Sequence, residues 1–280
     1  MDFETREIIR RIISEELWAG DITSETIIEE DTEAKAKIIT TNSGYVAGIS
    51  EMFLIFDELN VKMRAKTSDG NKIERGDILA TLRGPARGIL AAETISLNLF
   101  TRMSGIATRT KKMMKKAKKI HSEIRIAPTR KTTPLLKQFD KRAIEIVGGE
   151  PHRYHLADFI LITQNHLKIV KSIEKAVKKA KKTNESDQIE IEVKNKKQAV
   201  KATEANADII MLKNFKPQKA KETIKTLKKT KPKKQPIIEL SGKINLSNIE
   251  KYAKTKPDII STPNLIQAPP LSMKLEINEK

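Results

Sequence analysis

The run Thr129-Arg130-Lys131-Thr132-Thr133-Pro134 sets two permanent cations among three hydroxyls and closes on a proline. Proline's fixed φ suits the first position of a helix, so the pattern predicts a helix from Pro134 with its free amides facing the cations. Arg130 offers a planar fork to a carboxylate or phosphate, and Lys131 a mobile point charge. Further along, Gly148-Gly149-Glu150-Pro151-His152-Arg153 adds another Arg and a His after a flexible glycine turn. Either cluster alone reads as an ordinary solvated loop. Two of them, at the ends of neighbouring strands, point to a site for a small anion of several charges.

The elements that would position these clusters follow from periodicity. Apolar residues at helical spacing predict a helix over Asp2–Leu17, ending at Gly20. Short strands are expected at Ala36–Thr41, Tyr45–Ile49, Val61–Lys66 and Ile78–Leu82, with a helix at Glu51–Leu59 and turns at Gly70, Gly76 and Gly84-Pro85. A long helical pattern runs from Ala86 to about Ile120 and is expected to break at Gly105. Then the rhythm changes. Strands at Glu123–Ala127, Phe159–Ile162, Ile189–Val193, Ile209–Leu212, Pro236–Leu240 and Asp258–Ser261 alternate with helices at Pro134–Val147, Leu167–Lys182, Lys196–Ala205, Pro217–Lys229 and Leu246–Lys254. Such alternation implies right-handed βαβ units on a parallel sheet, here closed or nearly closed into a barrel whose strand ends hold the chemistry. The stretch Leu271–Ile277 alternates like a strand that returns to the first domain.

Composition narrows the function classes. The chain has 280 residues, enough to bury a substantial core, and its lack of cysteine excludes disulfides, thiolate metal sites and thiol nucleophiles. No window reaches the length of a membrane span, and the chain reads as cytoplasmic. The formal charge of +18 comes mostly from lysines in pairs such as Lys115-Lys116, Lys178-Lys179 and Lys233-Lys234. That balance admits nucleic acid, but the lysines fall on polar helix faces, aromatics are 4% of the chain, and no stacking or helix-turn-helix motif accompanies them. Solvated helix faces are the better reading. His155 and His166 lack the carboxylate spacing to join His152 in a metal centre, His121 falls in a loop, and no zinc is read. Trp18, Met113 and Met114 read as packing residues.

Taken in order, Gly20-Asp21-Ile22-Thr23, Glu93 to Asn98, Ser104-Gly105-Ile106-Ala107-Thr108, Thr129 to Pro134, His152-Arg153-Tyr154, Asn165-His166, Ile189 to Val193, Asp208 to Phe215, Ser241-Gly242 and Ala268-Pro269-Pro270-Leu271 resemble the quinolinate phosphoribosyltransferase family over nearly the whole chain. The resemblance implies an α/β fold of type II phosphoribosyltransferase architecture. An N-terminal open α/β sandwich (1–105, with the returning tail 267–280) precedes an incomplete, six- or seven-stranded α/β barrel (106–266). It implies a homodimer or dimer-based oligomer, magnesium, and transfer of phosphoribosyl from phosphoribosyl pyrophosphate to quinolinate or a related acid, a step of NAD biosynthesis. On the matching positions, Arg130, Lys131, Thr132, His152 and Arg153 would hold the anionic substrates, with Ser241 and Gly242 opening a phosphate loop. Lys131 and Glu192 would be catalytic. Glu192 matches an acidic position that holds ribose hydroxyls or magnesium, and is the single candidate metal ligand.

The chain departs from that pattern at several places. A lysine is expected before Asp-Asn-His, where Thr163-Gln164-Asn165-His166 stands; Thr94 replaces an arginine, Lys213 a magnesium-binding aspartate, and Lys243 a phosphate-loop glycine. Ser261-Thr262-Pro263-Asn264 puts a proline, which has no N–H, in a second loop. These changes touch the quinolinate clamp, the metal site and the phosphate cradle. Two readings stand: a phosphoribosyltransferase in which Lys213 and Lys243 contact phosphate directly, or an anion binder similar to the relatives called ModD, which accompany molybdate-transport genes.

Overall fold

Helices α1 (Phe3–Glu16) and α2 (Ile22–Ile27) come first in the computed structural model, which describes residues 3–183, 188–230, 232 and 234–277. Periodicity does not announce α2. Its N-cap Asp21 accepts from the Ser24 backbone N–H at 3.1 Å, satisfying one of the donors a helix start leaves open. There follow β1 (Glu33–Thr40), β2 (Gly44–Tyr45), α3 (Ile49–Glu58), β3 (Lys62–Ala65), β4 (Lys72–Ile73), β5 (Ile78–Pro85) and α4 (Ala86–Lys118). Then come β6 (Arg125–Pro128), α5 (Lys137–Ile146), β7 (Ile160–Ile162), α6 (Gln164–Val170), α7 (Ile173–Thr183), β8 (Ile189–Val193), α8 (Lys196–Glu204), β9 (Ile209–Lys213), α9 (Pro217–Leu227), β10 (Ile237–Ser241), α10 (Ile249–Ala253), β11 (Ile259–Thr262) and β12 (Met273–Ile277).

Contacts divide the chain into two units. The first takes Met1–Lys111, Thr133–Gly148 and Gln267–Lys280. Its antiparallel sheet runs β12-β1-β5-β3, with β2 and β4 paired separately. Alternation in β1 buries Ala36, Ile38 and Thr40 on one face. The returning strand is where the sequence pattern puts it: β12 pairs with β1 from Ala36↔Ile277 to Thr40↔Met273.

The second unit takes Lys112–Thr132 and Gly149–Ile266. Its six strands are parallel in the order β6-β11-β10-β9-β8-β7. No pairing joins β6 to β7 among the described residues, so the barrel is incomplete. At the start of the strands, Asp208 and Asp258 accept from the Ile189 and Ile238 backbone N–H groups at 3.0 and 2.7 Å, pinning neighbouring strands.

This division differs from a split into 1–105 and 106–266, because α5 goes with the first unit. Arg102 forks onto the buried Asp140, Nε to Oδ1 2.7 Å and Nη2 to Oδ2 3.0 Å. Arg142 Nε lies 2.7 Å from Glu51 Oε1, and Lys111 Nζ donates to the Val147 carbonyl at 3.2 Å.

The helical pattern also departs from expectation at Gly105 and at Lys171. Helix α4 is continuous through Gly105, because that glycine serves close packing: a Cβ there would overlap the Pro269 carbonyl oxygen. The helix expected over Leu167–Lys182 is two, parted where Lys171 adopts a left-handed φ of 61°. Met113 and Met114 are buried as expected, whereas Trp18 is 89% exposed. Of the lysine pairs, Lys115, Lys116, Lys178 and Lys179 lie exposed on their helices; Lys233 is outside the described residues.

Candidate active site at the carboxyl ends of the parallel strands

Every candidate site residue read from the sequence belongs to the second unit and sits at or just past the carboxyl end of a parallel strand, or in the segment entering the next. In open or closed parallel α/β sheets, ligands bind at that end.

β6 ends at Pro128, and Thr129–Thr132 follow as loop. Arg130 and Lys131 are exposed, and neither side chain has a hydrogen-bond or ion-pair partner among the described residues. The expected helix start behind them is absent. Leu135 takes a left-handed φ of 65°, which turns the chain before α5 begins at Lys137, so no amides of a first helical turn back the cations at Pro134. The two side chains carry the positive charge unaided.

His152 stands in a left-handed backbone conformation, φ 55°, with 9% of its side chain exposed. Its Nδ1 accepts from the Arg153 backbone N–H at 2.8 Å, which leaves the proton on Nε2; Nε2 faces Glu239 Oε2 at 2.8 Å. Both ring nitrogens are thus engaged within the protein, and the imidazole braces the turn that carries Arg153. The Arg153 guanidinium donates from Nε to the His155 carbonyl and from Nη2 to the Leu156 carbonyl, each at 2.9 Å, and lies over the Phe159 ring. Burial, then the Arg130 charge, pull Arg153 below the usual arginine range, with Glu190 and Asp158 opposing. Arg130 and Arg153 therefore share one electrostatic neighbourhood.

Behind His152 lie two carboxyl groups that periodicity does not single out. Glu239 also accepts from the Ser261 hydroxyl. Glu190 is fully buried, its Oε2 3.9 Å from His152 Nε2, and neither oxygen has a hydrogen-bond partner among the described residues. Burial foremost, then the charge of Glu239, push its carboxyl well above the usual range, against Arg153 and Lys213. The signal is present as Glu190 and Glu239 inside apolar strands, where an acid has no solvent to face. His152, Glu190 and Glu239 could each turn one ligand atom to a shared metal, the atoms lying within 4.8 Å of one another. His152 and Glu239 are already engaged with each other, and burial favours the neutral form of Glu190, whose oxygens have no hydrogen-bond partner among the described residues.

At the ends of β8, β9 and β10 the remaining residues meet. Lys213 and Ser241 are register partners, and Lys213 Nζ lies 3.4 Å from Ser241 Oγ and 4.0 Å from Glu192 Oε2. Gln164 Nε2 donates to the Glu192 carbonyl at 2.6 Å, fixing that strand end. Gly242 follows with φ 148°, and a Cβ there would overlap Asn214 Oδ1, so glycine is required by contact as well as conformation. Lys243 is exposed, its ammonium without an ion-pair partner among the described residues. Thr163 binds back onto His166, its backbone N–H and hydroxyl 3.0 and 2.9 Å from Nδ1, so that imidazole serves its own helix.

Glu192 is the one carboxylate among the sequence-predicted site residues, and it faces an ammonium. Magnesium seeks several oxygen ligands, usually one or two carboxylates with waters, in near-octahedral array. Lys213 repels a divalent ion at that position, so the donor set does not fit the metal.

The model of the quinolinate phosphoribosyl transferase N-terminal domain matches residues 21–104, and that of the C-terminal domain residues 106–276. A probable carboxylating nicotinate-nucleotide pyrophosphorylase of Methanocaldococcus jannaschii is 40% identical over 91% of this chain and 90% of its own. That of Methanothermobacter thermautotrophicus is 38% identical over 97% and 98%. Among solved structures, the nicotinate-nucleotide pyrophosphorylase of Ehrlichia chaffeensis superposes with a TM-score of 0.92 at 28% identity, covering 99% of both chains. The alternative tied to molybdate transport draws no support from these relatives. With both domain models matched in order and the cationic residues gathered at the strand ends, the chain belongs to the quinolinate phosphoribosyltransferase family.

Proposed function

We propose that this protein transfers the phosphoribosyl group of phosphoribosyl pyrophosphate to quinolinate, releasing pyrophosphate and carbon dioxide and forming nicotinate mononucleotide. The observation that carries the reading is the set of cations Arg130, Lys131, Lys213 and Lys243 at the carboxyl ends of the parallel strands, with Glu192 facing Lys213 and the other three without an ion-pair partner among the described residues. Quinolinate is a dianion and its co-substrate carries several phosphate charges; such ligands need cations more than they need a covalent nucleophile.

In the reaction the pyridine nitrogen bonds to the ribose C1 as the C1–O bond to pyrophosphate breaks, and the 2-carboxylate then leaves as carbon dioxide, its electron pair staying on the ring until a proton replaces it. Positive charge grows on the ribose and negative charge on the leaving group. Glu192 stabilises the first and the lysines the second, as preorganised charges that need no rearrangement during the step. Lys131 and Arg130 hold the acceptor's carboxylates, with Arg153 behind them.

Incubation with quinolinate and phosphoribosyl pyrophosphate, with pyrophosphate and nicotinate mononucleotide measured together, tests this. Lys131→Ala is expected to lower kcat/KM by about a hundredfold, the scale of one lost electrostatic contact to a transition state. Product formation no greater than that of the Lys131→Ala protein would overturn the assignment.

Self-association belongs to the same reading. Phe3, Trp18, Ile22 and Ile27, all in the first unit, are 72–89% exposed, more apolar surface than one segment of a monomer ordinarily shows to water. A second copy of this chain is the proposed cover, as the family pattern implies, and light scattering of the purified protein checks it.

A further inference from the structure

The disagreement between magnesium and the residues at the ends of β8 to β10 carries an inference of its own, resting on the phosphoribosyl-transfer reading above. A divalent ion at this place would need carboxylate oxygens of the protein to hold it, and would supply positive charge to phosphate oxygens. In this chain the space beside Glu192 holds the Lys213 ammonium, 4.0 Å from Oε2, with Ser241 Oγ 3.4 Å away on the register-paired strand. Lys213 is neither a free surface lysine nor a buried one, with 29% of its side chain exposed, and it adjoins the residues that open the loop Ser241-Gly242-Lys243.

An ammonium has three donors. One is turned to Ser241 Oγ at 3.4 Å, while Glu192 at 4.0 Å is an ion-pair contact beyond hydrogen-bond reach, so the other donors are available to incoming oxygens. Two positions past Ser241, the register partner of Lys213, stands Lys243, exposed and without a carboxylate partner among the described residues. Lys213 and Lys243 together outweigh the single negative charge of Glu192, which leaves positive charge for phosphate oxygens at this place with no divalent ion.

We propose that Lys213 takes the place of the divalent cation, so that the pyrophosphate of phosphoribosyl pyrophosphate binds directly to Lys213 and Lys243 and needs no metal bridge to Glu192.

Calorimetric titration of the whole protein with phosphoribosyl pyrophosphate, and separately with inorganic pyrophosphate, in chelator and then in excess magnesium, tests this. The wild-type Kd is expected to be equal or weaker with magnesium, since the metal competes for the same oxygens. Lys213→Met, which keeps the length of the side chain, should weaken binding in chelator by about tenfold, the scale of one charge-assisted hydrogen bond. Lys213→Asp should bind poorly in chelator and recover when magnesium is added, a gain that a merely misfolded variant would not show. Wild-type affinity that rises about tenfold or more with magnesium would overturn the inference, as would a Lys213→Met protein that binds like the wild type.

The two readings fail separately. Nicotinate mononucleotide formed only with magnesium, alongside metal-dependent binding, leaves the proposed reaction standing and removes the role of Lys213. Metal-free binding with no turnover of quinolinate does the reverse.

Discussion

At the scale of single residues, the charged groups of the candidate site are legible in the sequence because cations at strand ends have few structural duties. Arg130, Lys131 and Lys243 are as exposed as their loops imply, without ion-pair partners among the described residues. His152 is legible as important but not in its role, since a sequence does not say which way an imidazole turns. Glu190 and Glu239 are hidden by their neighbours: within Ile-Glu-Ile-Glu-Val, nothing marks one acid as buried and the other as facing the site. Glu190 gives a test. Its folded carboxyl titrates above the ordinary value of 4.5, so below that pH both folded and unfolded chains hold the proton and the group has no effect on stability. As pH rises the unfolded chain ionises first, and the fold loses stability until the folded pKa is passed. Glu190→Gln removes this penalty. The variant and the wild type should melt together at about pH 4 and diverge by about pH 7 with the variant higher, by about 1.4 kcal/mol for each tenfold gain in proton affinity that burial gives the carboxyl. Thermal melts across that range that stay parallel would place a charged Glu190 in the fold.

Among elements, the parallel strands are the easiest to place, since apolar runs of β-branched residues bounded by turns have little else to become. Structure and sequence pattern part where one residue type carries two meanings. Pro134 has the signature of a helix start, yet Leu135 turns the chain and α5 begins at Lys137. Gly105 has the signature of a break, yet α4 passes through it to let the Pro269 carbonyl approach, and long-range packing of that kind leaves no local mark. Gly105→Ala should therefore destabilise the fold although alanine favours helix. The expected loss is about 1–3 kcal/mol, as for overpacking, against a gain of about 1 kcal/mol from propensity. Urea denaturation measures it, and an alanine variant more stable than the wild type would mean that the close approach does not hold in solution.

For the molecule as a whole, the order of the two folds is legible from the change of rhythm after α4, while the grouping of α5 with the first unit is not. That grouping depends on ion pairs such as Arg102–Asp140, whose partners lie 38 positions apart. The net charge of +18 makes the surface self-repelling, so self-association has that repulsion to overcome, and apolar contact is the proposed source. Trp18→Glu, placed among the exposed Phe3, Ile22 and Ile27, should shift the protein toward monomer in light scattering while leaving its thermal melt at low concentration unchanged. An unchanged mass would direct attention to other surfaces.

The pairing of β12 with β1 also sets a timetable. Thr40 and Ser272, at one end of that ladder, are 232 residues apart. At about 5–20 residues per second, a ribosome needs on the order of ten to fifty seconds to reach the second after making the first. Once β5 has been made, β1 can have one neighbour in place, but its other edge stays open until β12 is delivered. An open strand edge is a template for pairing with other chains, so the nascent sheet is exposed to mispairing until synthesis delivers the strand that completes it.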